Sequence, residues 1–372
     1  MSKNILIITP FFSPNIGGVE THLSDLVTQL DNKNYNCTVL TYSPLSTSGT
    51  FWLPYEKFKK HTKIYRFKWF GGNLFHRLEK HPLINLLYIT PYLLIRSIIY
   101  LISRHPRIDV IHSHGINGAI IGIILQKFFH IKKHIVSIYS TYDNVPLNSV
   151  STKLVVWVLN HTDHILTQSD SSVAQLAALN VNRQKLSRYF HWVDLEQFKP
   201  ITAKKKQFSV LFVGRMIPPK NAYLMAKIAC KFPKLEFVFV GTGPDYSKIE
   251  KLATKYKNIK LVGDVNYSNL HTYYQKSNIL CVPSKYHEGW GRIIAESISC
   301  GAPVISSNLG GTIEAADTSV AIFIKPTAKN FIKELQKLLS NSSIYEKLKK
   351  NCRPYALKHY SNKNLSYITD NY

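Results

Sequence analysis

What most constrains this chain is an alternation: short apolar runs recur along it, separated by stretches of helical periodicity. In the second half the runs fall at 208–213, 237–240, 259–262, 279–282, 303–306 and 321–324, with helical patterns at about 222–230, 245–256, 268–276, 290–299 and 329–339. Runs that are apolar on both faces are strands of a parallel sheet covered by helices. The first half repeats the pattern less cleanly, with strands expected at 4–9, 37–42, 110–113, 134–138 and 164–167 and a helix over 19–30. Together these predict an α/β chain of two doubly wound Rossmann-like domains facing across a cleft. A polar, Lys-rich stretch, 198–207, is expected as the linker between a first domain, 1–197, and a second, 208–355. A helical tail, 356–372, is expected to cross back to the first domain.

Charge narrows the partners. Lys and Arg number 47 against 22 Asp and Glu, a net +25, which favours a polyanion: nucleic acid, an anionic membrane or a phosphorylated substrate. From 55 to 107, Lys57, Lys59, Lys60, Lys63, Arg66, Lys68, Arg77, Lys80, Arg96, Arg104 and Arg107 face only Glu56 and Glu79. They are interleaved with Phe58, Tyr65, Phe67, Trp69, Phe70, Phe75 and Tyr88, the mixture an interfacial segment uses on an anionic leaflet. The apolar stretch 82–102 holds Asn85, Thr90, Pro91 and Arg96 and reads as a soluble or interfacial helix pair. Five scattered cysteines without a CxxC spacing read as reduced thiols of a cytosolic protein. The N-terminal run 5–12 lacks a cleavage site and reads as a strand.

In doubly wound sheets ligands bind beyond the carboxyl ends of the strands. After the first strand stands Gly17-Gly18 and then a helix, an arrangement that offers backbone N–H groups to a phosphate. The strand at 110–113 closes on His112 and His114, of which only His114 reaches the strand end, while His112 reads as structural. After the first strand of the second domain come Arg215 and Lys220, two cations expected to grip a diphosphate with no carboxylate near them. Gly241 and Gly243 follow the next strand and suit a loop lying flat against a base or ribose. The most specific run is His287-Glu288-Gly289-Trp290-Gly291-Arg292-Ile-Ile-Ala-Glu296, two carboxylates at different depths of one pocket, able to accept from sugar hydroxyls. Gly310-Gly311 then repeats the glycine-pair start of a helix. No metal site is expected.

Taken together these residues resemble the family 4 retaining glycosyltransferases of the two-Rossmann GT-B fold, over nearly the whole chain. The resemblance implies a nucleotide-diphosphate sugar donor, linked to UDP or GDP, and a glycan or lipid-linked acceptor, with no metal cofactor and no nucleic acid. It implies that Arg215 and Lys220 hold the diphosphate, Glu296 the ribose, and Glu288 and His114 the transferring sugar. Gly17, Gly18, Gly241, Gly243, Gly289, Trp290 and Gly291 would shape the donor pocket. Two places depart from the family pattern: His191-Trp192 stands where Asn-Gly usually precedes Val193-Asp194, and Tyr139-Ser140-Thr141 where Thr-x-His usually ends the strand. Other nucleotide-sugar enzymes of this fold, such as an epimerase, and a basic nucleic-acid-binding protein are the competing readings. The chain lacks the recognition signatures of the latter.

Overall fold

The computed structural model describes residues 2–45, 49–71, 74–78, 81–139, 142, 149–201 and 207–372. The chain divides into two compact units, Met1–Tyr189 with Leu365–Tyr372, and Phe190–Asn364.

The first unit runs β1 (Asn4–Ile8), α1 (Gly18–Asn32), β2 (Asn36–Tyr42), β3 (Tyr55–Lys57), β4 (Thr62–Phe67), α2 (Leu74–Leu78), α3 (Pro82–Arg104), β5 (Val110–His114), α4 (Gly115–Phe128), β6 (Lys133–Ile138), α5 (Val150–Asn160), β7 (His164–Thr167), α6 (Asp170–Ala178) and β8 (Leu186–Arg188). Its strands form one sheet in the order β3-β4-β2-β1-β5-β6-β7-β8. Every pair is parallel except β3 with β4. Ile5, Leu6, Ile7 and Ile8 of β1 are all buried, as a strand covered on both faces requires. Ser149 and Ser169 cap α5 and α6 by accepting the N–H of Thr152 and Ser172.

The second unit runs β9 (Ser209–Val213), α7 (Ala222–Ala229), β10 (Glu236–Val240), α8 (Tyr246–Ala253), β11 (Ile259–Gly263), α9 (Tyr267–Lys276), β12 (Ile279–Val282), α10 (Arg292–Ser299), β13 (Val304–Ser307), α11 (Thr312–Ala315), β14 (Ala321–Ile324), α12 (Ala328–Ser340) and α13 (Ser342–His359). Its sheet, β11-β10-β9-β12-β13-β14, is parallel throughout. The short α14 (Ser366–Thr369) belongs to the first unit.

In each sheet the strand order reverses once, between β1 and β5 and between β9 and β12. The loops leaving those strands therefore adjoin, and this is where a ligand crevice forms in an open α/β sheet. In the first unit the pair of loops carries Gly17-Gly18 and His114; in the second it carries Arg215, Lys220 and Glu288.

Three expectations are corrected. The stretch read as two helices is one continuous helix, α3, with Pro91 inside it. Pro91 sits on the exposed side, while Asn85, Tyr88, Ile89, Leu93, Ser97 and Leu101 face inward. The basic segment is not all surface: Arg66 is buried, donates to the carbonyls of Ser13 and Leu53 and pairs with Glu56 at 2.8 Å. Phe67 is buried as well, with the Arg96 guanidinium over its ring. Glu79, Lys80 and the Phe75 side chain lie outside the described residues. Finally, Phe198, at the start of the expected linker, is fully buried against Tyr267 and Tyr274 of α9; 202–206 lie outside the described residues.

Candidate active site

In the second unit the charged residues form two compact clusters. Lys220 ends a 3-10 turn, Pro218–Lys220, and Asn221 follows in the left-handed region with φ 61°, its amide donating to the Pro283 carbonyl at 3.2 Å. This ties the β9 loop to the β12 loop, and Lys220 Nζ lies 2.6 Å from Glu288 Oε2. The expectation of a diphosphate grip clear of carboxylates is thus corrected. Two loops far apart in sequence adjoin because β9 pairs with β12. Burial alone would pull the Lys220 ammonium down, but the Glu288 carboxylate and the Tyr286 phenol hold it above its usual range. Ser284 donates to the other Glu288 oxygen, Oε1. Arg215 is exposed and has no carboxylate partner among the described residues.

The second cluster surrounds Glu296. Its carboxylate is almost fully buried and accepts from Tyr274 at 2.8 Å, from Arg292 Nε at 2.9 Å and from Tyr267 at 3.1 Å. Arg292 Nη2 also donates to the Tyr267 hydroxyl. Burial pushes the Glu296 carboxyl up, against the pull of Arg292 and the two phenols. Sequence reasoning missed Tyr267 and Tyr274. Arg292 was visible as a cation four residues from Glu296 on one helix face.

Glycines hold the loops together. Gly241, with φ 116°, lies so close to Gly214 that a Cβ would fall on the Gly214 carbonyl oxygen, and Gly243 abuts Met216 in the same way. A Cβ on Gly311 would fall on the Gly289 carbonyl, and the Gly311 N–H already donates to the Glu288 carbonyl at 2.8 Å. That N–H is therefore already engaged within the unit. Gly291, with φ 91°, starts α10. The Trp290 ring is buried in the core, stacked on His191 at 4.2 Å and edge-on to Tyr360. At one departure from the family pattern, His191-Trp192, His191 thus packs on Trp290 inside this unit, and both side chains are buried.

In the first unit His114 ends β5 and precedes α4. Only 3% exposed, it has Nδ1 2.7 Å from the Tyr139 hydroxyl, and its Nε2 has no hydrogen-bond partner among the described residues. Burial, then His112 and His22, hold its pKa well below the imidazole range. His112 is fully buried between Tyr372 and Ser137, the structural role expected for it. Gly17 and Gly18 start α1, where the Glu20 carboxylate lies against Gly17. Ser140 and Thr141 lie outside the described residues. Among the described residues no group of three or more His, Cys, Asp or Glu could hold a metal ion.

Two family models match, glycosyltransferase family 4 over residues 16–197 and glycosyl transferases group 1 over 193–358. This chain is a GT-B glycosyltransferase of that family. The phosphatidylinositol N-acetylglucosaminyltransferase GPI3 subunit of Saccharomyces cerevisiae is 23% identical to it, over 94% of this chain and 80% of its own. Sucrose-phosphate synthase of Thermosynechococcus elongatus superposes with TM-score 0.81 at 18% identity, over 99% and 97% of the two chains. Anabaena HepE with UDP-glucose superposes with TM-score 0.77 at 14% identity, over 99% of this chain and 100% of that one. The glycosyltransferase moves a sugar from a nucleotide-diphosphate donor to an acceptor.

Proposed function

We propose that this glycosyltransferase works at an anionic membrane surface and places its sugar, with retention, on an acceptor carried by a lipid. The observation that carries this reading is the outer face of α3. Ile84, Leu87, Ile95, Ile99 and Ile102, all exposed, recur at helical spacing over about 27 Å of axis at 1.5 Å per residue. By length and composition alone α3 could cross a membrane, yet its opposite face packs into the first unit, which favours lying along a surface. The start of α3 lies toward the carboxyl end of the sheet, the His114 end, since the helix runs back against parallel strands. Arg104, Arg107 and the four lysines Lys57, Lys59, Lys60 and Lys63 lie at the amino end, where Lys57 pairs across from Lys63. An apolar stripe with cations at one end suits an anionic leaflet. The Saccharomyces relative's name assigns it to phosphatidylinositol, which supports a lipid acceptor.

Within the site, Lys220 and Arg215 would neutralise the donor diphosphate in place of a metal. An ammonium has three donors, so Lys220 can hold Glu288 and a phosphate oxygen together. Glu288 would then accept from the sugar, Glu296 from the ribose, and His114 would contact the transferring sugar.

Cosedimentation with phosphatidylglycerol vesicles tests the surface. At low salt the wild type is expected to bind, the double variant Leu87→Asp/Ile95→Asp to remain in the supernatant, and a Lys57/Lys59/Lys60/Lys63→Gln variant to bind less and to lose the remainder more slowly with salt. Each cation near the leaflet contributes ~1 kcal/mol, screened within about 10 Å at 0.1 M salt. A wild type that ignores these vesicles at low salt refutes the membrane reading.

A further inference from the structure

We propose that a groove across the starts of α3, α4 and α5 holds a stretch of the hydrocarbon chain of a lipid acceptor, at the end of the sheet where His114 lies. This rests on the lipid-borne acceptor argued above and adds where its chain leaves the membrane. Every residue that lines the groove belongs to the first unit.

The groove follows from the topology. α3, α4 and α5 each return the chain from one parallel strand to the next, so each starts at the carboxyl end of the sheet, where β5 ends on His114 and α4 begins at Gly115. α3 packs on α4 and α4 on α5, which makes them one layer with α4 in the middle. Gly118 and Gly122 bring α4 tight against the sheet: a Cβ on Gly118 would meet the Ile8 carbonyl oxygen at 2.9 Å, and one on Gly122 would fall on the Ser113 and His134 side chains. Above the first turn of α4 a cavity of about 210 Å³ is left. Ile116 and Asn117 form its floor, Leu83 and Leu86 of α3 one wall, and Leu154 and Val155 of α5 the other. Leu83 is exposed and the other five are half-buried, so the groove opens outward.

The lining chooses the occupant. A glycan needs partners for its hydroxyl groups, and this surface is mostly leucine, isoleucine and valine; the Ser151 hydroxyl, also in the lining, already lies 3.1 Å from that of Ser149. A methylene chain needs no partner and gains by leaving water. Pockets that enclose a whole drug-sized molecule start at about 300 Å³, so this one takes a stretch of chain. Ile84 and Leu87 of α3 and Val150 of α5, each adjacent to a lining residue in sequence, are exposed. Ile84 and Leu87 also belong to the stripe assigned to the membrane, so a chain passes from leaflet to groove along continuous apolar surface.

The test is NMR of the full chain with 13C-labelled Ile, Leu and Val methyl groups, titrated with dihexanoyl-phosphatidylglycerol kept below its micelle concentration. The signals of Ile116, Leu154 and Val155, assigned by their loss in Ile116→Val, Leu154→Met and Val155→Ala, should shift and saturate. Glycerophosphoglycerol, the same head without chains, should leave them in place. Leu154→Trp, which fills the groove with its indole, should weaken the binding roughly tenfold or more, and so should Val155→Asp, which sets a carboxylate in the chain's path. Lining signals that the lipid does not move, shifts of equal size on every exposed methyl group of α3, or both variants binding as the wild type does, overturn the groove. Lipid bound in the groove of a protein that ignores phosphatidylglycerol vesicles keeps the groove and removes the membrane surface. Vesicle binding with a silent groove keeps the membrane surface and removes the groove.

Discussion

The two units solve one problem in opposite ways. Each sheet reverses its strand order once and gathers polar side chains beside that point, yet the second unit collects charges and the first collects neutral rings. In the second, each buried carboxylate has its own cation: Glu288 has Lys220 and Glu296 has Arg292. A buried charge persists only when paired, and removing one partner costs more than the pair gains. In the first, burial holds His112 and His114 below the imidazole range, and each ring is hydrogen-bonded to a hydroxyl group. The second unit thus pairs its buried charges, and the first keeps its buried rings neutral.

Breaking the ionic half should have the largest effect. Lys220→Met leaves Glu288 buried without its cation and removes a diphosphate contact. Transfer should fall on the order of 10²–10³-fold, as when a charge-stabilising donor is deleted, and EDTA should leave the wild-type rate unchanged. Activity abolished by EDTA and restored by Mn²⁺ would contradict the protein-cation account. A smaller effect is expected from Glu296→Ala, which should weaken donor binding by roughly 1.5–3 kcal/mol, the worth of a hydrogen bond to a charged group. Calorimetry on the folded variant checks it, and unchanged affinity would remove Glu296 from the ribose.

The smallest effect sharpens the contrast through pH. Folding raises the Glu296 carboxyl above its ordinary 4.5, so the folded state binds this proton more tightly than the unfolded one. Its contribution is fully present below that value and is lost as pH rises through the raised one. Urea unfolding at a series of pH values should therefore show the wild type losing stability relative to Glu296→Gln as pH climbs above 4.5. A difference that does not change with pH would mean that burial leaves this carboxyl unshifted.

Much of this was legible because strands covered on both faces must be continuously apolar, and runs such as that of β9 can be little else. The edges were harder. β3, β4 and β8 went unread, two of them being only three residues long and β4 carrying two cations, Lys63 and Arg66, among its apolar side chains. Pro91 was taken as a break, but a proline on the exposed side of a helix whose other face is packed is tolerated. The E-x7-E carboxylates announced themselves; Arg292, four residues before Glu296, went unread although its spacing was there to find. The pairing of Lys220 with Glu288 did not announce itself, because it depends on which strands become neighbours, and local pattern carries no such information. The same holds for Tyr372 beneath β5.

The first unit is discontinuous in sequence: Leu365–Tyr372 completes a body whose other residues end at Tyr189. A ribosome adding 5–20 residues per second therefore needs roughly ten to forty seconds after finishing β8 before it supplies Tyr372. During that interval the nascent sheet has no phenol to set against His112. A chain stalled before Leu365 would carry a first unit without the phenol that His112 meets in the folded structure, a form for proteases and chaperones to tell from the folded one.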